Sequence, residues 1–195
     1  MPTLNLDDLS RYGRFAVVDL EATCADDDTI PPAKMETIEI GAVVVEAADF
    51  AVAGEFQAFV RPLRNPVLTA FCTDLTGITQ DMVASAETFF SAFGAFDAWI
   101  KAHAAGAAFC SWGAYDRRQL QQDCAMHGLA YGLPPHANLK DLFSVRQGRK
   151  KRFRMARALG LCGIELAGRH HRALDDARNI ARLLPWIVGD RVVGR

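Results

Sequence analysis

The stretch Phe15-Ala16-Val17-Val18-Asp19-Leu20-Glu21-Ala22-Thr23 constrains the rest of the chain more than any other. A short apolar run bounded by turn-forming residues reads as a buried strand. Two carboxylates sit in it, two residues apart. Side chains alternate along a strand, so Asp19 and Glu21 turn to the same face. Neighbouring buried carboxylates lose their hydration and repel one another. A bound divalent cation would relieve both problems. A strand that surfaces at its end, leaving two solvated acids, would also accommodate them, and the remaining sequence has to separate the two readings.

The chain has 195 residues, half of them hydrophobic and 23% charged. That suits one globular domain, expected to span residues 1–195 with a core at about 14–188. A net charge of −1 gives no global signal for nucleic acid. Met1 to Arg14 carries Asp7 and Asp8 and no apolar h-region, so no signal peptide is expected. No apolar run is long enough for a membrane span, and no membrane partner is expected. Cys24, Cys72, Cys110, Cys124 and Cys162 are odd in number and form no CxxC pair. Reduced thiols and a cytoplasmic location are the expectation.

Cys24 to Lys34 reads as a polar loop; its Asp26-Asp27-Asp28 lacks the ligand spacing of an EF-hand. Glu36 to Glu46 alternates and then becomes apolar, which predicts a strand half exposed at first and buried later. Phe56 to Val60 predicts a third strand after a short turn at about Asp49 to Gly54, so the three should form an antiparallel meander. Asn65 to Asp81 reads as loop with short helical pieces. Thr88 to His103 places Phe89, Phe93, Phe96 and Ile100 at helical spacing, with core packing as their ordinary role. Ala107 to Trp112 predicts a strand and Tyr115 to His127 a helix, putting Asp116 at their junction, where open α/β sheets build sites. Ala137 to Leu142 reads as a short strand entering a helix.

Arg146, Arg149, Lys150, Lys151, Arg152, Arg154 and Arg157 follow with no acid among them. Such a run can neutralise phosphates or form a solvated helix face. In the last segment, Gly168 to Ala173 reads as loop. Leu174 onward reads as a helix with the stripe Leu174, Ala177, Ala181 and Leu184, which Pro185 should kink or end. Asp175 and Asp176 fall in its first turn, where capping is the ordinary role of an acid. His171 alone reads as a loop histidine.

Taken together, Asp19 with Glu21, Asp116, and His171 five residues before Asp176 resemble the motifs of the DEDDh superfamily of 3′→5′ exonucleases. Asp19-Leu20-Glu21-Ala22-Thr23-Cys24 looks like that family's first motif, and Leu75-Thr76-Gly77-Ile78-Thr79-Gln80 matches a stretch seen in many members. Gly168-Arg169-x-His171-x-x-Leu174-Asp175-Asp176-x-x-Asn179-Ile180-Ala181-Arg182 looks like the third motif of the Eri-type exoribonucleases. The likeness runs from about Phe15 to about Leu184. Arg172, four before Asp176, is not the tyrosine of the sister subclass. No counterpart of the separate N-terminal nucleic-acid-binding domain of animal Eri-type enzymes is expected in these residues.

The resemblance implies an RNase H-like α/β fold: a mixed central sheet, three antiparallel strands and then parallel ones, flanked by helices. It implies two Mg²⁺ or Mn²⁺ ions held by Asp19, Glu21, Asp116 and Asp176, with His171 as general base. Hard cations prefer oxygen donors, and two of them can serve phosphodiester hydrolysis. An imidazole titrates in the range a base needs. The backbone of Ala22 and Thr23 would approach the terminal 3′ nucleotide. Leu75, Trp112 and Tyr115 are candidates to hold its base, Trp112 and Tyr115 having core packing as the alternative. Arg149, Lys150 and Arg152 are candidates for upstream phosphates. The expected activity is 3′→5′ hydrolysis of single-stranded or overhanging RNA ends. The alternatives are the same chemistry on single-stranded DNA or on very short oligonucleotides, and a silent nucleic-acid-binding module.

Overall fold

The computed structural model describes residues 3–194. A short helix, α1 (Leu6–Leu9), leads into β1 (Arg14–Ala22). A polar loop and a 3-10 turn bring the chain to β2 (Thr37–Glu46) and β3 (Val52–Arg61). Then come α2 (Ala70–Thr76), α3 (Gln80–Ala84), β4 (Glu87–Thr88), α4 (Phe89–His103) and β5 (Ala108–Ser111). The last elements are α5 (Tyr115–Met126), β6 (His136–Asn138), α6 (Leu139–Arg146), α7 (Met155–Leu161) and α8 (Ala173–Ala181). The sheet order is β4-β3-β2-β1-β5-β6. β1 to β3 form the expected antiparallel meander, while β5 and β6 run parallel to β1.

Period-two alternation in β1 divides the core. Phe15 and Val17 pack beneath α6, α7 and α8, while Ala16, Val18 and Leu20 pack beneath α4 and α5. Asp19 and Glu21 continue the row of Phe15 and Val17, so they emerge on the α8 side. A smaller cluster, Ile38, Cys72, Ile78 and Val83, lies under α2 and α3.

Three sequence expectations change. β3 begins at Val52, because the turn is tighter than the composition suggested: Phe50 N–H donates to Glu46 O at 3.0 Å and Phe50 takes φ +61°. α8 ends at Ala181, the residue whose carbonyl a proline four positions on would strike, and Pro185 falls in a 3-10 turn. The first half of β2 is buried on both faces, with Glu39 fully inaccessible. Polar partners from elsewhere in the chain cover the face that alternation marked as exposed.

Candidate active site

Asp19 and Glu21 stand at the carboxyl end of β1. Asp116 lies in the first turn of α5, just past the parallel neighbour β5, and Asp176 in the first turn of α8. One carboxylate oxygen each from Asp19, Glu21 and Asp176 lies within 4.8 Å of the others. Asp116 is tied to the same strand, its Oδ1 accepting the Leu20 N–H at 3.2 Å. All four line one cleft of about 450 Å³, together with His171. The fold thus assembles the acids that the sequence left scattered.

Their electrostatics are unfavourable in isolation. Burial, and then the charges of Asp116, Glu21 and Asp176, push the Asp19 carboxyl well above its ordinary range. Burial, then Asp176 and Glu39, push Glu21 up to about 9. Burial raises Asp116 to about 6 against hydrogen bonds from its own backbone, Ser111 and Leu20. Asp176 is raised by burial too. Three clustered carboxylates with Asp116 beside them in the cleft, their charged forms disfavoured by burial, are a donor set suited to hard divalent cations. His171 is held below its usual range by burial and by His170, which keeps its imidazole neutral and able to accept a proton.

The start of α8 is set onto the sheet by Gly41, Glu39 and Gln57, which sequence reasoning missed, and by Arg169 and Asn179 of the third motif. Gly41 faces Asp19 across the β1–β2 ladder. A Cβ there would sit 2.2 Å from Ala173 C and Leu174 N, so only glycine lets α8 approach this closely. Beside it, Glu39 accepts the Ala173 N–H at 3.0 Å and pairs with Arg172 at 3.0 and 3.2 Å. Gln57 donates to the same carboxylate at 2.6 Å. The loop before α8 is fastened on its other side by Asn179, which exchanges hydrogen bonds with Ala167 N and O at 3.0 and 2.8 Å. Arg169 crosses to Asp74 O at 3.1 Å over Gly77, where a Cβ would meet its guanidinium at 2.2 Å. These contacts hold His171 at φ +63°, with its N–H donating to Asp176 Oδ2 at 3.1 Å. Asp175 turns elsewhere, accepting the Arg169 N–H at 2.9 Å and pairing with Arg178 at 3.2 Å.

The other sequence candidates divide. Ala22, Leu75, Trp112 and Tyr115 line the cleft, Tyr115 with its surface 46% exposed. Trp112 also packs on Phe143 and donates its indole N–H to Phe153 O at 3.1 Å, so it serves core and cleft together. Thr23 is buried off the cleft wall. Its N–H donates to Glu36 O at 2.9 Å and its hydroxyl accepts the Glu36 N–H at 3.0 Å. Arg149, Lys150 and Arg152 are exposed outside the cleft, and Arg152 pairs with Asp141. The cations on the cleft wall are Lys140 and Arg154. Arg154 belongs to the basic run that the sequence singled out; Lys140 precedes it, and only the fold brings it in.

Residues 16–184 match the model of the exonuclease family (RNase T). The chain belongs to this exonuclease family. It is 32% identical over 201 residues to ERI1 exoribonuclease 2 of Danio rerio, covering 92% of this chain and 36% of that protein. It is 32% identical over 193 residues to 3′-5′ exoribonuclease 1 of Homo sapiens, covering 93% of this chain and 54% of that protein. It therefore spans about a third to a half of these relatives. The nuclease domain of 3′hExo, a DEDDh family member solved bound to rAMP, superposes with a TM-score of 0.78 at 28% identity, covering 95% of this chain and 98% of that one. The exonuclease fold is thus the RNase H-like one that the motifs implied.

Proposed function

We propose that this exonuclease chain, as one domain over residues 1–195, is a metal-dependent 3′→5′ exoribonuclease releasing nucleoside 5′-monophosphates. The observation that carries this is the convergence of Asp19, Glu21 and Asp176 within 4.8 Å, in a cleft that also holds Asp116 and His171. Relatives named as exoribonucleases favour RNA over DNA.

Asp19, Glu21, Asp116 and Asp176 would hold two Mg²⁺ or Mn²⁺ ions. When bound, the ions supply Lewis-acid activation and neutralise charge on the phosphate. His171 takes a proton from the attacking water at a ring nitrogen, poised by its neutral form and its place on the loop. The left-handed backbone at His171 and its bond to Asp176 fix the base relative to the acids. Leu75 and Tyr115 would flank the terminal base, with the indole of Trp112 behind them and the Ala22 backbone at the ribose. Lys140 and Arg154, inside the cleft, would meet the nearest phosphates. Arg149 and Lys150 would serve only a longer strand, and single-stranded or overhanging 3′ ends fit the open cleft. No helix among the described residues is long and apolar enough to cross a membrane. Five unbonded cysteines support a reducing, cytoplasmic setting.

The test is a time course on 5′-labelled single-stranded RNA and DNA of one sequence, with Mg²⁺, Mn²⁺ or EDTA, beside Asp116→Asn. A ladder shortening from the 3′ end, faster on RNA and lost with EDTA and in the variant, is expected. Binding without cleavage would mean a silent module.

A further inference from the structure

His170 occupies the one unassigned position between Arg169 and His171 in the third motif, and the proposed chemistry does not use it. Its ring stacks on that of His171, centroids 4.0 Å apart and planes at 20°. Its Nδ1 lies 2.9 and 3.1 Å from the two Asp176 oxygens. One ring nitrogen from each histidine and one Asp176 oxygen lie within 4.8 Å of one another. The three residues pass from exposed through half-buried to buried, so the group opens to solvent on its histidine side.

We propose that His170, His171 and Asp176 form a second metal site, selective for borderline transition ions such as Zn²⁺ or Co²⁺, whose occupation shuts the exonuclease off. Two imidazoles and one carboxylate are the donors such ions choose, whereas Mg²⁺ keeps to oxygen. Donors about 2.0–2.1 Å from a tetrahedral ion stand about 3.3 Å apart. The His170–Asp176 separation of 2.9 Å therefore opens by only a few tenths of an ångström, and the stacked rings rotate apart so that a nitrogen of each faces the ion in its own ring plane. Solvent fills the fourth position. The inhibitory consequence rests on the roles proposed for His171 and Asp176: the ion engages the base's imidazole and draws Asp176 away from Asp19 and Glu21.

The experiment separates binding from catalysis. Metal-free protein is titrated with Co²⁺ and followed by visible d–d absorption, in wild type, His170→Ala, His170→Gln and the double variant Asp19→Asn/Glu21→Gln. Wild type and the double variant should show the same intense tetrahedral Co²⁺ band, which the oxygen-only site of the four acids does not give; Zn²⁺ should displace it and Mg²⁺ should not. Both His170 variants should lose at least the roughly tenfold in affinity that even an outer-shell partner can cost. Zn²⁺ inhibition, scaled to each protein's own Mg²⁺-supported rate, should shift to at least tenfold higher Zn²⁺ in the His170 variants. Unchanged Co²⁺ affinity in both His170 variants, loss of the tetrahedral Co²⁺ band in the double variant, or an unshifted inhibition curve would each overturn the proposal. If the chain cuts no nucleic acid, the Co²⁺ titration still decides whether the site exists.

Discussion

Asp175 and Asp176 are adjacent acids in one helical turn, and their surroundings give them opposite duties. Asp175 is consumed by Arg169 and Arg178, which pin the loop before α8. Asp176 faces Asp19 and Glu21. Asp176→Asn should therefore lower kcat by more than about a hundredfold, since even outer partners of a metal site can cost that much. Asp175→Asn should keep most of the rate and lower Tm. Single-turnover cleavage beside a thermal melt distinguishes the two, and the reverse pattern would overturn the assignment. The same reasoning sorts the cations. Lys140→Met or Arg154→Met should raise KM more than it lowers kcat, because these side chains line the cleft. Arg152→Met should move neither, because its charge is already engaged by Asp141.

At the scale of elements, the site depends on how closely the start of α8 approaches β1 and β2. Gly41→Ala places a methyl 2.2 Å from the α8 backbone, so the helix must rise off the sheet and carry His171 and Asp176 with it. Overpacking of this kind costs about 1–3 kcal/mol, with a loss of kcat out of proportion to the change in Tm. Glu39→Gln removes the charge that Arg172 pairs with inside the fold. The expected loss is on the order of 3 kcal/mol, the lower end for breaking a buried pair, because Arg172 keeps some exposure. Chemical denaturation of each variant measures both. The sequence showed the acids of β1 plainly, because strand alternation alone puts Asp19 and Glu21 together. It did not show Glu39, because Glu-Thr-Ile-Glu-Ile alternates as a half-exposed strand would, and the partner that buries it lies 133 residues away. It marked the basic run but not which members reach the cleft, since that is set by how the chain folds between α6 and α7. Leu75 and Tyr115 were named as candidates before the fold placed them at the cleft, whereas the approach at Gly41 is visible only once helix and sheet are placed together.

For the molecule as a whole, the carboxylate cluster couples stability to pH and to metal in opposite senses. Glu21 is raised from 4.5 to about 9 and Asp116 from 3.8 to about 6 in the metal-free fold. A raised carboxylate binds its proton more tightly folded than unfolded. Its contribution is therefore complete below the unfolded value and declines as pH climbs to the folded one. For Glu21 that decline spans 4.5 to about 9, and for Asp116 it spans 3.8 to about 6. With EDTA, the Tm should accordingly fall between pH 6 and pH 8.5 by more than it does in Glu21→Gln, which has no proton to lose. Divalent ions need the ionised carboxylates, so binding releases those protons and tightens as pH rises. Saturating Mn²⁺ stabilises by mass action, about 2.7 kcal/mol at a hundred times Kd. At a fixed millimolar concentration, the Mn²⁺-induced rise in Tm should be larger at pH 8.5 than at pH 6, and it should shrink in Glu21→Gln. A metal-induced shift independent of pH, or equal in the variant, would mean that the ions bind elsewhere on the protein and that the four acids are held apart by the fold alone.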